Sequence, residues 1–300
     1  MSNLILLILC FLFGVVLRRA GRLPAETPLV LNRFILNISM PALVLLHVHT
    51  MPLGSEIGVV MAAGWLSFLL AAGFFILLGR GIKLPRGTTG ALILMAGLGN
   101  TSFFGFPMIE AYYGQEGLAV GILYDQLGSA LVLFTLGMIV AGIFSATDTG
   151  WRGIVGRIVL FPPFIALLLA LSLRTTEYPV WLGEVLKRLG DTLAPLALVS
   201  VGFQLHPGHL AGNARNLAIG LGFKLILAPL IMAILLLELW GMKGLTPQVT
   251  IFEAAMPPMI AAGIVATEHD LDPELVNLMV SVGLVLSFFT LTGWWWWMKS

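Results

Sequence analysis

The sequence predicts an all-α integral membrane protein: ten transmembrane helices in two inverted five-helix repeats, with the fourth and ninth helices broken. Three observations predict this. The 300-residue chain is 58% hydrophobic and 10% charged, where a soluble domain carries about 25% charged residues. The apolar residues gather into ten segments separated by short connections. Two separate stretches of the first half recur in the second half at nearly one offset.

The segments cover residues 3–17, 27–50, 57–79, 87–113, 116–144, 154–174, 185–205, 213–239, 247–267 and 273–298. The first lacks the positively charged start of a cleavable signal peptide. Arg18, Arg19 and Arg22 follow it instead, so it reads as a retained span. Arg80, Lys83 and Arg86 join the third and fourth segments, and Arg152 and Arg157 join the fifth and sixth. The loops after the second and fourth hold no Lys or Arg. The positive-inside rule therefore places both termini on the non-cytoplasmic side of a cell membrane. Arg174, Lys187 and Arg188 run against that rule in the second half. Trp294 to Trp297 suit an interfacial aromatic belt. The lipid bilayer is the expected partner. Net charge is +1 with no basic block longer than two residues, which points away from nucleic acid. The single cysteine, Cys10, excludes an internal disulfide.

The repeat rests on two matches. "LNRFILNISMPALVLL" from Leu31 resembles "LKRLGDTLAPLALVSV" from Leu186, and Pro195 follows Pro41 by 154 positions. "LVLFTLG" from Leu131 resembles "LVLSFFTLTG" from Leu284, and Phe289 follows Phe134 by 155. Residues 1–150 and 151–300 thus read as two five-span repeats. Five is odd, so the second repeat enters the membrane with opposite orientation, the build of many secondary transporters.

The fourth segment contains "MAGLGNTSFFGFP", with Gly99, Asn100, Thr101, Ser102, Gly105 and Pro107 inside an apolar run. The repeat offset sets it against "FEAAMPPMIAAG", with Met256, Pro257 and Pro258. Both prolines lack the N–H that a helix needs, and Asn, Thr and Ser cap helix starts. Thr88 to Asn100 is 12 residues, about 18 Å of helix, and Pro247 to Pro257 is 10 residues, about 15 Å. Both breaks therefore fall near the middle of a hydrocarbon layer about 30 Å thick. Two half-helices are expected to begin there, around Thr101–Ser102 and at Pro257–Pro258. Such beginnings expose unpaired N–H groups and the positive end of a helix dipole, which attract anions. A small organic anion is the expected substrate, with Asn100, Thr101, Ser102, Met256, Pro257 and Pro258 around it and Gly99, Gly105 and Pro107 forming the break.

Ionisable residues at depth are costly and face a cavity or one another. Lys224, Glu253 and Asp125 qualify, and Lys224 has either carboxylate as a candidate partner for a fixed charge pair or for ion coupling. His47 with His49, and His206 with His209, have metal-like spacing but no Cys and few carboxylates nearby, so no metal site is expected. Phosphate-loop, nucleophile-elbow and HExxH motifs are absent, so no catalytic residues and no cofactor are expected.

"NTSFFGFP", "GILYDQ", "FKLILAPL" and "AAMPPMIAA" resemble motifs of the auxin efflux carrier family, and the resemblance runs the length of the chain. That family is similar in fold to bile-acid-type sodium symporters and plant PIN-type auxin carriers. The resemblance implies crossed fourth and ninth helices and transport of small carboxylates, malonate and malate among bacterial members and auxin among plant members. It also implies that Asn100, Thr101 and the Pro257–Pro258 crossing line the site. Plant members commonly have proline where this chain has Gly99, and many carry a long central loop that is missing here. Both departures match a compact bacterial-type member.

The resulting expectation is a secondary carrier. Spans 3–5 and 8–10 form a transport bundle, and spans 1, 2, 6 and 7 a scaffold that is also the candidate homodimer surface. A channel or a ligand-binding sensor on the same fold is the alternative. A proton or sodium ion as coupling ion, the substrate and the direction of transport stay open at this level.

Overall fold

The computed structural model describes residues 2–49, 56–145, 161–173, 176–205 and 213–299. Arg152, Arg157, Arg174, His206 and His209 lie outside these, as does the start of the segment at 154–174. The described residues are helical, with a single isolated β-bridge. We number the helices α1 (Ser2–Arg19), α2 (Thr27–His49), α3 (Glu56–Ile82), α4 (Arg86–Gly97), α5 (Thr101–Phe144) and α6 (Pro162–Ser172). The second half holds α7 (Val180–Gly190), α8 (Leu193–Phe203), α9 (Ala214–Leu239), α10 (Leu245–Ala254), α11 (Ile260–Glu268) and α12 (Pro273–Lys299). Five helices among the described residues are long and apolar enough to cross a membrane: α2, α3, α5, α9 and α12.

Long helices bend where the sequence forces them to. Residues 35–39, 101–105 and 223–227 are wide, π-type turns, and each ends two residues before a proline: Pro41, Pro107 and Pro229. Proline has no N–H and its ring crowds the carbonyl four residues back; widening the turn moves that carbonyl aside. At Pro229 the freed carbonyl is that of Leu225, and Trp294 Nε1 donates to it at 2.9 Å. Gly114, at φ 71°, interrupts α5 with a sharp corner that L-residues with side chains resist. It separates residues 101–113 from residues 115–144.

Helices pack in two groups. In one, α1 lies along α8, and α2 contacts α6, α7 and α8. Gly14 and Gly202 let the α1 and α8 backbones meet: a Cβ on Gly202 would sit 2.1 Å from the Phe11 carbonyl oxygen. In the other, α4 packs against α3, α11 and α12, and α10 against α5, α9 and α12. A core of Phe68, Phe75, Leu92, Met95, Leu275 and Met279 fills that second group. Exposed apolar residues such as Ile5, Leu12, Phe13 and Leu77 clothe the outside, as expected where lipid is the solvent.

Candidate functional site

The two breaks meet. Gly99 and Pro258 form an antiparallel bridge, with Asn100 N donating to Pro257 O at 2.7 Å and Met259 N donating to Leu98 O at 3.0 Å. In this pairing the flanking residues exchange the bonds, so the absent N–H of Pro258 costs nothing. Successive prolines hold the preceding residues extended, which keeps the second break open. Gly99 permits the close approach: a Cβ there would lie 3.1 Å from Lys224 Nζ and 3.3 Å from Met256 Cβ. Gly283 of α12 makes room on the other side, since its Cβ would meet Pro258 Cδ at 2.7 Å. Nothing in the sequence marks Gly283, because its role depends on which helix lies across from it.

The helix starts differ from expectation in one place. The first half-helix does begin at Thr101, capped by Asn100, whose Oδ1 accepts from Phe104 N at 3.3 Å. The second begins at Ile260, not at Pro257–Pro258. The reason is the bridge: Pro257 and Pro258 are used as extended backbone, so the helix starts only after Met259 has made its bond to Leu98.

Side chains around the crossing sort into three sets. In the first, Asn100 and Ser102 line a cavity of about 200 Å³ together with Phe103, Asp125, Phe134 and Met259. Asn100 is 1% exposed and its Nδ2 has no hydrogen-bond partner among the described residues. A buried amide donor without a partner is uncommon, and it marks a place where a ligand can supply one. In the second, Thr101 Oγ1 donates to Asp125 Oδ1 at 2.5 Å and Gln126 Nε2 donates to Asp125 Oδ2 at 2.7 Å. The Thr101 hydroxyl is thus committed to Asp125. Met256, Pro257 and Pro258 are buried and stand outside the residues that line the cavity. Met259, Phe134 and Phe161 line it instead. Met259 follows from the break; the two phenylalanines carry no sequence signal, since an apolar helix shows many aromatics.

The third set is ionic. Lys224, 1% exposed, donates from Nζ to the Ala254 carbonyl oxygen at 3.0 Å. Ala254 ends α10, and Gly99, beside the same ammonium, follows the end of α4. A cation therefore sits where two helix C-terminal ends converge, the favourable place for positive charge. Between the two carboxylates offered by the sequence, the structure picks neither as a contact partner: the ion pair among the described residues joins Lys187 to Asp191. Glu253 is fully buried, beside Gly105 and Gly121 of α5. Pro107 lies further along α5 and lines a narrow space of about 10 Å³ with His47, Glu110, Lys187 and Asp191.

Ile264 of α11, which lines the 200 Å³ cavity, also lines two larger cavities of about 320 and 630 Å³. Their walls carry Glu268 and Asn277 in one and Arg18 and Asn32 in the other. A narrow space of about 10 Å³ lies under Lys187 and Asp191.

The sequence matches the family described as "Membrane transport protein" over residues 1–146 and 154–295. It is 30% identical to an uncharacterised transporter of Methanothermobacter thermautotrophicus, over 94% of this chain and 93% of that one. It is 28% identical to an uncharacterised transporter of Methanocaldococcus jannaschii, over 99% of this chain and 98% of the relative. Auxin efflux carrier component 1 of Arabidopsis thaliana is 24% identical over 37% of this chain and 18% of the plant protein. The chain belongs to the membrane transport protein family, that of the auxin efflux carriers.

Proposed function

We propose that the protein is a secondary carrier that moves a small organic anion, a mono- or dicarboxylate, by alternating access around the crossing. The observation that carries this reading is the unpartnered Asn100 amide in a cavity bordered by the starts of two half-helices, residues 101–113 and α11. A carboxylate there would accept from Asn100 Nδ2 and from free N–H groups of the first turn of α11, and from the Ser102 hydroxyl if it turned away from Asp125, to which it is hydrogen-bonded. Dipoles and neutral donors hold an anion without the grip of a full charge, so it can leave again. Asp125 faces the same cavity with both oxygens already satisfied by Thr101 and Gln126. Its charge sets an upper limit on affinity, a useful property in a carrier.

On this reading the chain has ten spans in two inverted repeats. α1, α2, α6, α7 and α8 form the scaffold, and α3, α4, α5 and α9 to α12 the moving bundle. The large cavities open on the side of Arg18, which the positive-inside rule assigns to the cytoplasm. This conformation is then inward-open, in a cell membrane, with both termini outside. The test is counterflow in proteoliposomes loaded with malonate or malate. Native protein exchanges labelled for unlabelled acid and saturates. Asn100→Ala loses at least about tenfold in uptake, the equivalent of ~1.4 kcal/mol, while eluting as folded protein. Exchange undiminished in Asn100→Ala defeats the site; conductance without counterflow means a channel.

A further inference from the structure

We propose that Glu253 is a proton-binding site, holding a proton in this conformation and giving it up in another stage of transport. The first part stands on the geometry below; the second rests on the carrier reading.

Glu253 closes α10 one residue before its end and is 0% exposed. Neither Oε1 nor Oε2 has a hydrogen-bond partner among the described residues. The space it occupies is made by two missing side chains. A Cβ on Gly105 would lie 2.9 Å from Oε2, and one on Gly121 would lie 3.0 Å from Oε1. Both glycines belong to α5, so the carboxyl group reaches from α10 into a slot that any other residue would narrow. Lys224 does not neutralise it by contact, because its ammonium is spent on the Ala254 carbonyl at the helix end.

Several charges act on the group. Asp125 and Tyr124 on α5 and Lys224 on α9 interact with it electrostatically. Tyr112 and Tyr113, also on α5, lie with their rings against Phe252, on the neighbouring position of α10. Arg80 of α3, and Glu274 and Lys299 of α12, stand in the terminal turns of those helices. Within reach, then, are one cation held elsewhere and one more carboxylate. An ionised carboxylate in such a place has lost its water and gained no donor, whereas the neutral acid forfeits little. A metal ion is a poor occupant. The Asn100 carbonyl, 3.4 Å from the Gly105 Cβ position, already accepts from Gly105 N at 2.9 Å, and a metal needs several oxygens. Glu253 therefore binds one proton as a carboxylic acid here, and ionises by releasing it to water when the bundle moves and water reaches α10.

Infrared difference spectroscopy on the purified full chain in lipid reads the protonation directly. At neutral pH the native protein shows a carbonyl band of a buried carboxylic acid that Glu253→Gln loses and Asp125→Asn keeps. Loss of no band in Glu253→Gln overturns the site. In proteoliposomes with labelled malonate, an imposed pH gradient drives native accumulation by up to about tenfold per pH unit for one proton. Glu253→Gln exchanges malonate but does not accumulate it. Accumulation by that variant, or accumulation that follows a sodium gradient alone, overturns the coupling. The carboxylic-acid band without flux of any carboxylate supports the proton site and overturns the carrier reading.

Discussion

The two breaks at the crossing solve one geometric problem with different chemistry. The first, Leu98 to Asn100, is opened by glycine and asparagine; the second, Ala255 to Met259, by two prolines. The first is capped by a side chain, and the second has no side-chain cap. Around the first stand the polar groups: Asn100, Thr101 and Ser102, with Asp125 and Gln126 behind them. Around the second stand the apolar residues Met256, Met259 and Ile260, with the buried charges Lys224 and Glu253 behind its first end at Ala254. The difference teaches a division of labour. Prolines give a stiff backbone edge to pair with, and the glycine-asparagine edge adapts to that partner and carries the recognition groups.

The sharpest break in this comparison is Asn100→Asp. It puts a carboxylate where an anion is to bind and leaves the cap acceptor in place. Carboxylate-induced thermal stabilisation should disappear entirely, by the linkage between binding and folding. Lys224→Met comes next. It removes the cation at two helix ends and leaves the Ala254 carbonyl without its donor, a loss of about 2–3 kcal/mol in stability read by thermal melting. Gly283→Ala tests the stiff edge: its Cβ meets Pro258 Cδ at 2.7 Å, and a proline ring cannot step aside. The expected cost is about 1–3 kcal/mol. Thr101→Val removes the hydroxyl bonded to Asp125 and should cost about 1–2 kcal/mol with a smaller effect on uptake than Asn100→Ala. Pro258→Ala is the mildest. The bridge makes no use of an N–H at 258, so melting should shift by less than about 1 kcal/mol equivalent. A large loss from Pro258→Ala beside a small one from Gly283→Ala would reverse the assignment of stiffness.

Much of the site was legible from residue types that lipid makes expensive. Asn100, Thr101, Ser102 and the double proline stand out because an apolar helix has no local use for them. The offset set the two breaks at matching places in the two halves, and the family resemblance implied that they cross. The start of the second half-helix was misplaced by a few residues, because proline at a helix start and proline in a paired extended edge look alike until the partner is known. Thr101 was read as a ligand contact, and its hydroxyl is instead bonded to Asp125, 24 positions away. The partner of Lys224 had two candidates, and the contact is a backbone carbonyl that the sequence could not single out.

What the sequence determined by itself is the class of molecule and the location of its irregularities. Composition alone fixes the solvent as lipid, and proline, glycine and asparagine weaken or bend a helix through a missing N–H, a missing Cβ or a competing side-chain hydrogen bond. These are local properties, carried by each residue's own hydrogen-bonding groups. Only the tertiary structure decided that Gly99 pairs with Pro258, that Gly283 makes room for the ring, and that Gly105 and Gly121 leave a slot for Glu253. Each of these depends on distances of about 3 Å between residues far apart in the chain, and apolar helices of similar composition can pack in many registers.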